Sequence, residues 1–214
     1  KGDVFSQGEA LSPDLKDRSK DQLRRLQIVF QLADTALNPA QPIDSILSRP
    51  LKFYHGMTGK ARERRVIELL DMVQLPAAMR HRLPGELSGG QKQRVNFARA
   101  LAAEPDLILC DEITSALDTV VAAAMLDLLK DLQRDLGLSY MFISHDLSTV
   151  EAICDDVLVM LKGELVESLP AAHMSESAEH PYSRLLISSV PKLDPDWLAN
   201  LEHDPELAKA MQGR

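Results

Sequence analysis

Short apolar runs alternate with longer stretches of helical periodicity along most of this chain. Leu26–Phe30, Leu107–Cys110, Ser139–Ser144 and Asp156–Leu161 are bounded by polar or turn residues and are too short for buried helices, so they read as strands. Apolar positions recur at helical spacing over Ile43–Leu51, Gly59–Val73, Ser88–Ala103, Val120–Leu136 and Leu147–Cys154. Strands that alternate with helices predict an α/β protein with a largely parallel sheet. Residues 39–103 read almost wholly as helix, too much for a single crossover, and so predict a helical subdomain inserted into the α/β lobe. Past Leu169 the alternation stops. The remainder, with Pro170, Pro181, Pro191, Pro195 and Pro205, reads as short helices broken by turns.

Composition narrows the class without changing that picture. The 214 residues are 45% hydrophobic and 26% charged, with 24 basic against 32 acidic residues and a net charge of −8. That balance fits a globular chain and disfavours disorder and a basic nucleic-acid binder. No apolar run approaches the ~18 residues a membrane span needs. Cys110 and Cys154 sit singly in apolar runs and read as buried reduced thiols rather than a disulfide or a metal site. The basic cluster Lys60–Arg65 lies on a helical stretch whose apolar positions Val66, Leu69, Leu70 and Val73 face away from it. It reads as a solvated helix face.

Three clusters carry chemistry. In Leu87-Ser88-Gly89-Gly90-Gln91, Ser88 is a natural N-cap for the helix that follows. The two glycines let a ligand approach backbone N–H groups at the positive end of that helix, which makes an anion site with phosphate as the obvious occupant. The run Leu107–Cys110 ends in Asp111-Glu112, adjacent carboxylates at the carboxyl end of a parallel strand, where α/β folds bind ligands. Asp111 could hold Mg²⁺, which takes one or two carboxylates plus phosphate oxygens. Glu112 could orient and deprotonate an attacking water. Ser115-Ala116-Leu117-Asp118 follows, and a further strand delivers Ser144-His145-Asp146, where His145 could hydrogen-bond a γ-phosphate.

In this order and spacing the three clusters resemble the ATP-binding subunit of an ABC transporter. The resemblance covers about residues 1–170. It places the signature motif at Leu87–Gln91, the Walker B strand at Leu107–Asp111, the catalytic glutamate at Glu112, the D-loop at Ser115–Asp118 and the switch histidine at His145. Gln27-Ile28-Val29-Phe30-Gln31 is similar to the strand that ends in the Q-loop glutamine, which gives that role to Gln31. Two short stretches, Ala36-Leu37-Asn38-Pro39 and His180-Pro181-Tyr182-Ser183-Arg184-Leu185-Leu186, resemble the peptide/nickel (oligopeptide and dipeptide) importer subfamily.

The resemblance implies an ABC-type P-loop NTPase fold, an α/β architecture with an incomplete parallel-sheet lobe and an inserted helical subdomain. Residues 1–38 would be the first part of the ATPase lobe, 39–103 the helical subdomain, 104–170 the rest of the lobe and 171–214 a C-terminal extension. It implies ATP and Mg²⁺ as ligands, with Asp111 and Gln31 on the metal and Gln31, Ser88, Gly89, Gly90, Gln91 and Asp118 on the nucleotide. Glu112 and His145 would be catalytic. It further implies a second ABC ATPase domain, identical or not, closing head to tail, so that Ser88–Gln91 meet the γ-phosphate held by the partner. Permease subunits would be driven through the Q-loop and the helical block, with a periplasmic solute-binding protein as an indirect partner and no nucleic acid. The place of work would be the cytoplasmic face of the inner membrane, as a peripheral subunit.

One part of the family pattern is absent from this sequence. No Gly-x-x-x-x-Gly-Lys-Ser/Thr phosphate loop occurs, and Gly56-Met57-Thr58-Gly59-Lys60-Ala61 fails because its glycines are too close, Ala61 lacks a hydroxyl and no strand leads into it. Lys1–Leu11 resembles instead the strand and turn that normally follow that loop. With no initiator Met, the chain reads as a piece of a longer ATPase, or else as a degenerate subunit, and as inactive alone. No cysteine follows Cys154, so no iron–sulfur cluster is assigned to the tail. An ABC ATPase outside transport and a non-catalytic regulatory module are the competing readings.

Overall fold

The computed structural model describes residues 2–190, in two compact units divided between Ile143 and Ser144. The first unit opens with a hairpin, β1 (Val4–Ser6) and β2 (Glu9–Leu11), turned by Gln7 and Gly8, both at positive φ. A 3₁₀ turn at Leu15–Asp17 leads to α1 (Lys20–Arg25), which Ser19 and Gln22 close with a reciprocal capping box. Then β3 (Leu26–Val29), β4 (Leu107–Asp111) and β5 (Ser139–Ile143) form a parallel sheet in that order. Each strand agrees with the apolar run that predicted it to within one residue.

Register decides which side chains are buried. Val29, Cys110 and Phe142 pair across the sheet, as do Gln27, Ile108 and Tyr140, so these share one face. Val29, Ile108 and Cys110 are fully buried there, and Phe97 meets the Tyr140 ring edge-on at 5.9 Å. The opposite face carries Ile28 and Met141, 41% and 49% exposed. Among the described residues, β3 and β5 each have a hydrogen-bonded neighbour on one side only.

The helical block predicted between β3 and β4 is present. It comprises α2 (Ala33–Ala36), α3 (Ile43–His55), α4 (Gly59–Met72), 3₁₀ turns at Ala77–His81 and Pro84–Glu86, and α5 (Gly89–Leu101). The helix α3 contains Pro50, runs four residues past the predicted end at Leu51, and stops at Gly56 in the left-handed conformation. Ile43, Leu47 and Leu51 are fully buried, as are Val66, Leu69, Leu70 and Val73. Of the basic cluster beside them, Lys60 and Arg64 are exposed as a solvated face requires, whereas Arg62 and Arg65 are half-buried, Arg65 pairing with Glu68 at 3.0 Å and Glu104 at 3.3 Å. Residues 56–58 connect α3 to α4, whose first residues are Gly59, Lys60 and Ala61, and a helix rather than a strand leads into this segment. After β4, α6 (Thr119–Leu136) is capped by Asp118 and ended by Gly137 at φ 67. Its buried residues are Met125, Leu128, Leu129 and Leu132.

The second unit begins with α7 (Leu147–Ile153), followed by a hairpin of β6 (Asp156–Leu161) and β7 (Glu164–Pro170). The pattern predicted β6 but not β7. Lys162 and Gly163, at φ 51 and 86, form the two-residue turn between them, of the kind right-handed strand twist favours. A 3₁₀ turn at Ala171–His173, α8 (Met174–Ser177) and α9 (Pro181–Ser188) give the short helices expected after Leu169. Pro191, Pro195 and Pro205 lie outside the described residues. Val159, Leu169, Met174 and Ala178 form this unit's core. Of the two cysteines, Cys110 is buried as expected, whereas Cys154 is only half-buried, its thiol pushed up by that burial and by Asp155.

The N-cap of α7 makes a pH prediction. The Asp146 carboxylate accepts from the Ser148 N–H at 3.0 Å, from the Ser148 hydroxyl and from the Thr149 hydroxyl at 2.7 Å. The Ser148 hydroxyl bond, with the smaller Thr149 and backbone contributions, outweighs desolvation and holds this carboxyl below its ordinary 3.8. A depressed folded value means that the cap contributes fully above the ordinary value and is lost as pH falls through the folded one. Asp146→Ala should therefore cost about 0.5–2 kcal/mol at neutral pH, with the difference from the parent vanishing in strong acid. Urea denaturation of both proteins along a pH series measures it.

Candidate active site at the carboxyl edge of the sheet

Parallel pairing places the carboxyl ends of β3, β4 and β5 on one edge, since Val29 pairs with Cys110 and Asp111 with Ile143. Gln31 lies two residues past β3, Asp111 ends β4, and Glu112 follows it. The structure brings the first and last of these together. Gln31 Nε2 donates to Glu112 Oε2 at 2.8 Å and to Ser115 Oγ at 3.0 Å. Glu112 itself turns into the left-handed region at φ 47, where non-glycine residues are uncommon. Its N–H donates to the Ile143 carbonyl at 2.9 Å, which anchors the turn to β5.

One face of α5 fixes the segment that carries Gln31. Lys92, Asn96 and Arg99, spaced by four and three residues, reach that segment at three points. Lys92 pairs with Asp34 at 2.5 Å, Asn96 Nδ2 donates to the Phe30 carbonyl at 3.4 Å, and Arg99 donates to the Ala36 carbonyl. Arg99 also donates to Asn96 Oδ1 at 2.8 Å, and burial pushes its guanidinium down from its ordinary value. None of these contacts is predicted above. Their signal is the polar stripe at 92, 96 and 99 on an otherwise buried helix.

At the start of α5, Ser88 is the N-cap, as its type and position predict. Its hydroxyl accepts from the Gln91 N–H at 3.3 Å, and the Gln91 side chain accepts from the Ser88 N–H at 3.0 Å. The two glycines between them differ. A Cβ on Gly89 would meet nothing within 4 Å, whereas one on Gly90 would lie 2.6 Å from Val121 Cγ1 in the first turn of α6. Gly89 opens toward solvent, and Gly90 is where two helices approach closely. Asp118 accepts from the Val121 N–H at 3.0 Å, so the residue read as part of the D-loop is also the cap of α6. His145 lies in the second unit, next to the capping Asp146.

These strand ends and helix starts occur in a chain with clear relatives. Residues 1–115 match the ABC transporter family, and residues 166–213 match the oligopeptide/dipeptide transporter C-terminal region. The chain belongs to the ABC transporter family. It is 40% identical over 218 residues to the oligopeptide transport ATP-binding protein OppF of Bacillus subtilis (strain 168), covering 99% of this chain and 71% of that one. It is also 40% identical over 195 residues to the dipeptide transport ATP-binding protein DppF of Escherichia coli (strain K12), covering 91% of this chain. The chain spans 58% of the length of that DppF, less than two-thirds of the relative. Among solved structures it is similar to the dimeric post-hydrolysis state of the ATP-binding cassette MJ0796 bound to ADP and Pi. The TM-score is 0.66 at 30% identity, with 80% of this chain and 74% of that chain covered. The fold is accordingly the ABC ATPase fold expected from the motifs.

Oxygen donors at the sheet edge suit a hard divalent cation. Asp111 offers a carboxylate and Gln31 an amide oxygen, and Mg²⁺ takes few protein ligands and completes its shell with water and phosphate oxygens. Among the described residues no group of three or more His, Cys, Asp or Glu side chains is placed to hold a metal ion by itself.

The contrast between Gly89 and Gly90 is testable by stability alone. Gly89→Ala should be neutral or slightly stabilising, because alanine favours the helix and meets no neighbour. Gly90→Ala should cost about 1–3 kcal/mol through overpacking against Val121. Adding Val121→Ala should recover most of that loss in a double-mutant cycle followed by denaturant unfolding.

Proposed function

We propose that this chain is part of the ATP-binding and ATP-hydrolysing subunit of an ABC importer for peptides or related small solutes. The observation that carries this reading is the 2.8 Å hydrogen bond between Gln31 and Glu112, made across 81 residues at the carboxyl edge of the sheet. It joins the residue read as the Q-loop glutamine to the residue read as the catalytic base. The match of residues 166–213 to the oligopeptide/dipeptide C-terminal region favours a transporter over an ABC ATPase of another calling.

In this reading Asp111 and Gln31 hold Mg²⁺, which would neutralise phosphate charge when bound. Glu112 orients the attacking water and takes its proton, and His145 hydrogen-bonds the γ-phosphate. Ser88, Gly89, Gly90 and Gln91 face the nucleotide of a second ATPase domain closing head to tail, with Asp118 beside that junction. Gly89 suits this role best, since its missing Cβ leaves its N–H approachable from solvent. Residues 1–38, 104–170 and the inserted 39–103 would act as the ATPase lobe and its helical arm, and 171–214 as an extension.

Permease subunits at the cytoplasmic face of the inner membrane are the partners we infer, with a periplasmic solute-binding protein acting through them. A groove of about 740 Å³ between β3, α3 and α5 supports this. Its lining includes the apolar Ile28, Phe30 and Phe53 and the basic Lys20, Arg49 and Lys52, with no carboxylate. No described helix is long and apolar enough to cross a membrane, so the attachment would be peripheral.

Two outcomes test the reading. In the intact ATPase with its permease, Glu112→Gln should lower turnover by about 10²–10⁴ while ATP remains bound, since a positioned base contributes on that scale. Normal phosphate release by that variant would remove Glu112 from its role. The 214-residue chain on its own, which contains no Gly-x-x-x-x-Gly-Lys-Ser/Thr loop, should bind ATP weakly and release phosphate no faster than buffer. Robust turnover by the pure chain would overturn that expectation.

A further inference from the structure

Ser115 makes a set of contacts that neither the motif reading nor the family match assigns. Its hydroxyl donates to the Glu112 carbonyl at 2.8 Å and accepts from Gln31 Nε2 at 3.0 Å. A serine hydroxyl has one proton and two lone pairs, so both bonds form at once without conflict. The second Nε2 proton of Gln31 goes to Glu112 Oε2 at 2.8 Å. Both amide protons are then engaged, and the acceptors fix which way the amide faces. Gln31 Oε1 is left pointing away from Ser115 and Glu112, with no partner among the described residues.

The same hydroxyl supports the backbone of the neighbouring carboxylate. Glu112 sits at φ 47, held on its N–H side by the Ile143 carbonyl at 2.9 Å. On its carbonyl side it accepts from the Ser115 hydroxyl and from the Ser115 N–H at 3.1 Å. A left-handed glutamate persists only where its surroundings over-determine it. Ser115 supplies one half of that restraint and Ile143 the other.

We propose that Ser115 is a positioning residue that locks the Gln31 amide with its oxygen turned outward and holds Glu112 in its left-handed turn. It thereby couples the segment after β3 to the segment after β4. This rests on the reading of Gln31 as a metal-side ligand and Glu112 as the base. Gln31 and Ser115 are both exposed, so either hydrogen bond alone would compete poorly with water. The three groups together define one orientation. Alanine at 115 leaves the amide free to turn over, and threonine keeps the hydroxyl.

The direct test is the side-chain amide signal of Gln31 in the ¹⁵N-labelled 214-residue chain, assigned by its disappearance in Gln31→Ala. The parent should show two well-separated amide protons that exchange slowly. Ser115→Ala should draw them together and speed their exchange about tenfold, and Ser115→Thr should retain the parent pattern. An unchanged signal in Ser115→Ala overturns the proposal. In the intact ATPase with its permease, Ser115→Ala should lower kcat about ten- to hundredfold with KM for ATP within about twofold, and Ser115→Thr should restore it. Unaltered kcat in Ser115→Ala, beside a Glu112→Gln variant that has lost turnover, overturns the positioning role alone. Full turnover in Glu112→Gln overturns instead the reading of the base, and the amide signal still reports whether Ser115 holds Gln31.

Discussion

Parallel pairing of three strands is the constraint on which the rest of the candidate site depends. Because β3, β4 and β5 run in the same direction, their carboxyl ends meet one edge, and residues 81 positions apart come within hydrogen-bond distance there. Antiparallel pairing would send Gln31 and Glu112 to opposite ends of the sheet. Parallel strands need long crossovers, and those crossovers are where the chain places its helices. The connection from β3 to β4 carries the whole block from α2 to α5, and the connection from β4 to β5 carries α6. Topology therefore supplies both the edge at which polar groups collect and the helices that connect its strands.

Those helix starts are already partly committed. Ser88, Asp118 and Asp146 each spend a side-chain oxygen on a backbone N–H in their own first turn. A cap of this kind satisfies one of the four orphan donors, and the earliest N–H groups remain. At α5 those are the amides of Gly89 and Gly90, and Val121 crowds the direction a side chain at 90 would need. The capability for an anion thus lies in the glycine backbone, and Ser88 acts first by holding that backbone in place. Further along the same helix, Lys92, Asn96 and Arg99 grip the segment bearing Gln31. A rotation of α5 would consequently pull on the segment bearing Gln31 as well as on Gly89 and Gly90.

Much of this was legible in the sequence where burial and chemistry coincide. The runs around Ile28, Ile108 and Tyr140 are strands because each must cover a buried face, and helical spacing at Val66, Leu69 and Leu70 is a core stripe. The strand β7 escaped because its residues are mostly exposed and its burial follows no clean alternation, with a register shift opposite Val159 and Met160. Only Gly163 pointed to the hairpin. The helical pattern ended at Leu51, where the apolar spacing stops, yet α3 continues to His55 before Gly56 turns it off. In the site, residue types indicated which groups could bind phosphate or move a proton. They said nothing of the left-handed turn at Glu112, of Val121 lying on Gly90, or of the hydroxyl joining Gln31 to Glu112. Those depend on positions fixed by tertiary pairing, which no local pattern records.

The site's polar residues therefore act in two capacities, and the second conditions the first. Asp118 can be read as a group facing a nucleotide, yet its carboxylate already caps the start of α6. Gly90 can be read as a gap for phosphate, yet its missing Cβ is what lets α5 and α6 meet. Substituting either changes the scaffold before it changes any ligand contact, and loss of activity alone cannot separate the two effects. Gly89 and Gln31 are different. One has open space beside it, and the other presents an amide oxygen with no partner among the described residues. Among the described residues, both show binding capability not already spent on the fold. Ser115 hydrogen-bonds the Gln31 amide and Ser88 caps the helix turn that contains Gly89, so a substitution at either of these serines acts on the scaffold of an uncommitted group.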